Sequence, residues 1–202
     1  MEVPMKTKNL AIGLFIVAAG FSLLSLNARA VPDLNSCTKC HSTAANTDGN
    51  GYPLLEGMDS KYFIKTMTEY KSGERASDLM ARRARKLTDQ TIAEYAAYFA
   101  AQRRNPGIKG ADVSMANGKK FFELAVKGRD GASIQCSSCH GLNGEGTAKG
   151  PILAGQDKNY LISAMKAYHQ NDGGRKDAAM ASATELLRDT EIEDLAVYLQ
   201  SL

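Results

Sequence analysis

Four cysteines and two of the three histidines fall in two short runs, Cys37-Thr38-Lys39-Cys40-His41 and Cys136-Ser137-Ser138-Cys139-His140. Thiols three positions apart lie one helical turn from each other on the same face. From there both can add to the vinyl groups of a single porphyrin, and the histidine that follows directs its imidazole at the metal in the ring centre. Cys-x-x-Cys-His is accordingly the attachment sequence of haem c. Other chemistries fit less well. A disulfide across so short a loop removes little chain entropy, a thioredoxin-like pair has no use for the histidine, and tetrahedral zinc would require two distant clusters to converge. The pattern predicts two covalent haems c, attached through Cys37, Cys40, Cys136 and Cys139, with His41 and His140 as axial iron ligands.

The sixth ligand separates an electron carrier from a reactive haem. Met80 lies 39 positions after His41 and Met180 lies 40 after His140. A thioether stabilises ferrous iron, raises the potential and closes the iron to small molecules, so Met80 and Met180 are expected to complete both coordination spheres. A peroxidase-like enzyme needs an open iron, and an electron carrier without a small-molecule substrate is expected instead. Met58, Met67, Met115 and Met165 are read as core filler, and His169, which aligns with Lys71, as a surface or haem-edge residue. Iron-bound imidazoles usually donate their second N–H to a fixed acceptor, a role suited to the carbonyls of Pro53 and Pro151. Arg75 and Arg175 are candidates to pair with haem propionates, the alternative being exposed arginines beside glycine-rich turns. The run Arg82, Arg83, Arg85 and Lys86 reads as a solvated helix face or as a docking patch for an acidic partner. The glycines of Gly141-Leu142-Asn143-Gly144-Glu145-Gly146 follow a haem motif rather than a strand, which argues against a dinucleotide loop.

These residues recur because the chain is written twice. At an offset of 98 to 100 residues, Pro53 meets Pro151, Tyr62 meets Tyr160, Tyr70 meets Tyr168, Arg75 meets Arg175, Met80 meets Met180 and Ile92 meets Ile192. Two long units indicate a duplication rather than a solenoid, and Arg103-Arg104-Asn105-Pro106-Gly107 marks the seam. Each copy reads as helical. Helices are expected over Lys61–Tyr70 and Asn159–His169, and after caps at Thr88-Asp89 and Asp189-Thr190 with apolar residues three and four apart. Strand-like alternation is nearly absent. The expected fold class is all-α, with a first domain over residues 31–105 and a second over residues 106–202.

Residues 1–30 read as a cleaved signal peptide. Lys6 and Lys8 precede an uncharged run from Leu10 to Leu26, and Ala28-Arg29-Ala30 offers a cleavage pattern before Val31. An uncleaved anchor or a peripheral membrane association stays open as the alternative. Removing Glu2, Lys6, Lys8 and Arg29 from 25 basic and 22 acidic residues leaves 22 and 21. That near-neutral balance argues against nucleic acid as a partner. Export places the protein in the bacterial periplasm.

With both haem motifs, Gly150-Pro151-Ile152-Leu153-Ala154-Gly155-Gln156 and the paired methionines in view, the chain resembles the dihaem class I cytochromes of the cytochrome c4 type over nearly all of its mature length. The resemblance implies two tandem cytochrome c-like domains, each wrapped around one haem, with first and last helices crossing. Gly118, Phe122, Leu195 and Tyr198 suit such a crossing in the second domain. In the first, only Val31 to Ser36 precede Cys37, too few for a full first helix. That truncation, with Met58-Asp59 and Lys71 to Ser77, is also similar to the dihaem subunit of flavocytochrome c sulfide dehydrogenase. The implied function is single-electron transfer between redox protein partners, among them a flavoprotein or a terminal oxidase. The second option is an electron-accepting subunit of a flavoprotein dehydrogenase.

Overall fold

Short polar side chains start five of the nine described helices, four of them at matched places in the two copies. In this computed structural model the described residues are 1, 34–45, 51–105, 107, 109–127 and 133–202. The expected leader beyond Met1, its cleavage point at Val31, and Pro106 of the seam lie outside them. In chain order the elements of the first copy are α1 (Asn35–His41), α2 (Ser60–Ser72), α3 (Asp78–Ala84) and α4 (Asp89–Ala100). Those of the second are α5 (Asp112–Glu123), the strands β1 (Val126–Lys127) and β2 (Ser133–Ile134), α6 (Cys136–His140), α7 (Lys158–His169), α8 (Ala178–Thr184) and α9 (Asp189–Ser201).

Asp59 accepts the Tyr62 N–H at 2.9 Å to begin α2, and Asp157 accepts the Tyr160 N–H at 2.6 Å to begin α7. Ser77 and Asp177 do the same for α3 and α8, receiving the N–H of Met80 and of Met180 at 3.2 and 3.0 Å. Thr88 caps α4 through the Thr91 N–H at 3.1 Å. Each such cap satisfies a donor that the helix itself leaves bare. The expected cap at Asp189-Thr190 is one residue off. Arg188 holds the N-cap position, and its own N–H donates to Glu191 Oε2 at 2.8 Å. Arg188 has no short acceptor to offer, so the third helical residue supplies the carboxylate. A second departure from the sequence expectation is the antiparallel pairing of Val126 with Ile134 and of Lys127 with Ser133. Strands of two residues are too short to show alternation.

The two copies build two cores from equivalent helices. Phe63, Met67, Ile92, Ala96 and Phe99 pack between α2 and α4, and Leu161, Met165, Ile192, Ala196 and Leu199 between α7 and α9. The second core has an extra wall. α5 crosses α9 at Gly118, whose ideal Cβ would stand 2.1 Å from the Asp194 carbonyl oxygen and 2.6 Å from Tyr198 Cβ. The backbones therefore approach as closely as only glycine permits, and Phe122, fully buried, meets the Tyr198 ring at 5.9 Å. Among the described residues no helix precedes α1 in the first copy. There Phe99 packs against Phe63 and Tyr98 instead, with ring centroids 5.8 and 5.3 Å apart.

Candidate haem sites and the seam between the copies

α1 ends on the first motif, which carries the half-buried thiols of Cys37 and Cys40 one turn apart. His41 Nδ1 lies 2.7 Å from the Pro53 carbonyl oxygen. A carbonyl can only accept, so Nδ1 carries the proton and Nε2 keeps its lone pair. Burial lowers the pKa of His41, while the Pro53 carbonyl and the nearby charge of Glu56 oppose that shift. A cleft of about 380 Å³ brings together Cys37, Cys40, His41, Tyr62, Thr66 and Met80. Thr66 Oγ1 is buried there with no hydrogen-bond partner among the described residues. Two thiols, an imidazole with a free nitrogen, a thioether and an unpartnered hydroxyl on largely apolar walls fit a covalently held haem.

α6 repeats the arrangement with Cys136, Cys139 and His140. His140 Nδ1 donates to the Pro151 carbonyl at 2.8 Å, and burial again lowers the imidazole pKa, opposed by that carbonyl and by the charge of Asp177. Burial also pushes the Cys136 thiol up to about 11. Asp177, whose charge reaches His140, also caps α8, the helix that carries Met180. The copies differ beside the imidazole. A Cβ on Gly150 would stand 2.8 Å from His140 Cε1, so the backbone itself lies against the ring. The equivalent residue Tyr52 instead sets its ring 5.9 Å from that of His41.

Met80 and Met180 are each the third residue of a seven-residue helix, and both are half-buried. Recurrence by itself does not single them out, because Met67 and Met165 also fall in register, 98 positions apart. Those two are buried in the cores, 6% and 8% exposed. His169 is exposed and pairs its Nδ1 with the Thr184 carbonyl at 2.9 Å. Lys71 meets the equivalent turn of the first copy, its Nζ donating to the Leu87 carbonyl at 3.1 Å. Arg82, Arg83, Arg85 and Lys86 are all exposed, and Arg83 and Lys86 border the first cleft.

Arg75 and Arg175 do not stand in solvent beside their turns. Arg75 is 6% exposed, and both guanidinium groups pack on tyrosine rings where the copies meet. The seam has two further members that sequence reasoning missed. Arg104 donates from Nε to the Glu56 carbonyl at 2.9 Å, from Nη2 to that of Leu54 at 2.9 Å and from Nη1 to that of Ala154 at 3.2 Å. Burial brings its pKa down to about 10, which the charge of Glu56 opposes. Gln156, 2% exposed, accepts the Leu54 N–H at 2.6 Å and donates to the Leu54 carbonyl at 3.1 Å. The signal available in the sequence was faint: an arginine two residues before Pro106 and a glutamine after Gly155, neither matched by the same residue in the other copy.

The chain is similar to several known cytochromes. Residues 115–202 match the family model described as cytochrome c. Cytochrome c4 of Pseudomonas aeruginosa is 31% identical over 172 residues, spanning 82% of this chain and 83% of that one. A thiosulfate dehydrogenase electron acceptor of Stutzerimonas stutzeri is 30% identical over 179 residues, 86% of this chain and 82% of its own. Among solved structures, cytochrome c4 of Acidithiobacillus ferrooxidans superposes with a TM-score of 0.72 at 28% identity, over 83% of this chain and 99% of that one. Helices of the class I cytochrome c arrangement thus carry two covalent haems c, and the protein passes electrons between redox partners. With 82% of the chain aligned at 31% identity to one of its members, the chain belongs to the cytochrome c4 family of dihaem electron carriers.

Proposed function

We propose that this cytochrome carries electrons in the periplasm through two His/Met-ligated haems, one in each of two domains, residues 31–105 and 106–202, behind a cleaved leader of residues 1–30. In this reading His41 and Met80 hold the first iron and His140 and Met180 the second, with thioether links at Cys37, Cys40, Cys136 and Cys139. The observation that carries it is the convergence of Cys37, Cys40, His41 and Met80 on one cleft, with an unpartnered Thr66 hydroxyl on its wall. A haem c bound there supplies the one-electron chemistry. The chain fixes its surroundings: the Pro53 and Pro151 carbonyls orient the imidazoles, the methionine helices bring a thioether that favours the ferrous state, and Arg75 and Arg175 offer cationic partners to haem carboxylates.

Peptide mass spectrometry should find one haem on the Cys37–Cys40 peptide and one on the Cys136–Cys139 peptide. Met80→Ala and Met180→Ala should each remove about half of the weak long-wavelength charge-transfer band of the ferric protein, one of two thioether-ligated irons being lost each time. If Met180→Ala leaves the band unchanged and His169→Ala instead turns the second ferric haem high-spin, the ligand of the second haem is misassigned.

The exposed basic residues on and after α3 supply an entry surface. Charges at the rim of an encounter steer association more than they set affinity. Arg82→Gln with Arg83→Gln should therefore slow reduction or oxidation by one acidic partner, flatten the dependence of that rate on ionic strength, and leave both haem potentials nearly unchanged. Stopped-flow rates at several salt concentrations check this, and equal rates with every partner would make the face a solvated one.

A second reading, an electron-accepting subunit held by a dehydrogenase, is favoured by the resemblance to the thiosulfate dehydrogenase electron acceptor. Purification without a tag discriminates: a dehydrogenase, flavin-containing in the sulfide-oxidising case, should then travel with the haem in fixed ratio.

A further inference from the structure

Six repeat-equivalent side chains, Tyr62 and Tyr160, Tyr70 and Tyr168, Arg75 and Arg175, gather where the copies meet. The guanidinium carbon of Arg75 lies 5.3 Å from the centroid of the Tyr70 ring. That of Arg175 lies 5.6 Å from the Tyr160 ring and 5.1 Å from the Tyr168 ring. The carboxylate that reaches Arg75 is Glu69, at 3.7 Å, too far for a charge-assisted hydrogen bond. Two cations thus share a largely apolar seam without close anionic partners among the described residues.

Tyr160 sits between them. Its hydroxyl oxygen accepts from Arg175 Nη2 at 3.4 Å, and the charge of Arg75 reaches it as well. Burial acts to raise its pKa, but Arg175 and Arg75 together hold it below the ordinary tyrosine range. Tyr62, in the same surroundings, is pushed up to about 12, chiefly by burial. An oxygen that accepts from guanidinium groups directs its own proton elsewhere, because those groups have no acceptor to offer. Tyr160 also lines the cleft that holds His41 and Met80, together with Ser163 of the same helix. The second copy therefore completes a wall of the first copy's site.

We propose that Tyr160 is a positioning residue of the first haem rather than of its own: held by Arg175 and Arg75, its hydroxyl donates a hydrogen bond to a carboxylate of the haem bound beside His41 and Met80. This rests on the assignment of that cleft as the first haem site. A donor on a haem carboxylate draws negative charge away from the iron and so favours the ferrous form. The potential of the first haem is in this way set partly by the second copy, which the repeat pattern alone does not suggest.

The test uses the full chain with its haems attached, with haem content measured on each sample and potentiometric titration followed in the visible spectrum. Met80→Ala identifies the wave of the first haem by displacing it. Tyr160→Phe keeps the ring beneath Arg175 and removes the hydroxyl, which is both the donor and the acceptor of Arg175 Nη2. It should lower the first potential by about a tenfold change in the one-electron equilibrium, about 59 mV, and move the second by less than a third of that. Tyr168→Phe, whose ring also packs on Arg175, should move neither wave. The proposal fails if Tyr160→Phe shifts the second wave as far as the first, if it shifts neither, or if Tyr168→Phe reproduces its effect. Fewer than two haems per wild-type chain, or a Met80→Ala variant that displaces neither wave, would instead overturn the haem-site assignment beneath it.

Discussion

Replacing Gly118 by valine should lower the melting temperature of the second copy by about 10 °C while the first copy keeps its haem environment. The substitution has two effects of opposite sign. Removing a glycine from the interior of α5 favours the helix by up to about 1 kcal/mol, less for a β-branched residue. Against that, the new Cβ would stand 2.1 Å from the Asp194 carbonyl oxygen and 2.6 Å from Tyr198 Cβ. Backbone cannot rotate out of the way as a side chain can, so α5 must lift off α9. Overpacking of this kind costs about 3 kcal/mol, and lifting the helix also loosens the buried Phe122. The packing term wins by about 2 kcal/mol, which for a domain of this size corresponds to about 10 °C. Thermal unfolding followed in the haem absorption, with the two copies told apart by their ligand variants, measures it. An unchanged or raised melting temperature would mean that the helices do not cross at Gly118.

Arg104→Ala should destabilise the seam by about 3 kcal/mol, and Arg104→Lys should not restore it. The guanidinium serves three carbonyls from two directions, those of Leu54 and Glu56 in the first copy and Ala154 in the second. Hydrogen bonds to a charged donor contribute about 1.5–3 kcal/mol each, and a buried acceptor stripped of its partner costs about 1–3 kcal/mol. Desolvating the cation offsets part of that, as its lowered pKa shows. Lysine retains the desolvation cost but has a single nitrogen and cannot span the same fork. Both variants should melt about 10 °C lower, and the chain around residues 103–107 should become open to limited proteolysis. If lysine matches arginine, the charge matters there and the three-way geometry does not.

The parts of the molecule that the sequence made legible are those whose signals are local or repeated. Cysteine spacing follows from the size of one porphyrin, and the helices show themselves by apolar residues three and four apart, as at Ile92, Tyr95, Ala96 and Phe99. Gly118 and Phe122 were legible as the α5–α9 crossing only through the family resemblance, which implies that the first and last helices of the domain cross. Repeat register was a weaker guide to the ligands than it looked, since Met67 and Met165 share it, and burial is what sets them apart from Met80 and Met180. The seam was the least legible region. Arg103-Arg104-Asn105-Pro106-Gly107 has the composition of a linker, and nothing nearby reveals that carbonyls some fifty positions away in both directions of the chain receive Arg104. Arg75 and Arg175 were recognised as a matched pair, but their meeting on Tyr160 is a product of tertiary packing that a one-dimensional offset cannot express.

Leu54 is bonded at both its N–H and its carbonyl by Gln156, and its carbonyl is shared with Arg104. The residue before it, Pro53, receives the proton of His41. The peptide that joins the two halves is therefore contiguous with the peptide that aims the imidazole, and proline stiffens it further by fixing its own φ. A torque applied to one half, by a docking partner for example, has no slack segment in which to dissipate before it reaches His41. Mechanically the two halves should therefore turn together about His41 rather than pivot independently when a partner docks.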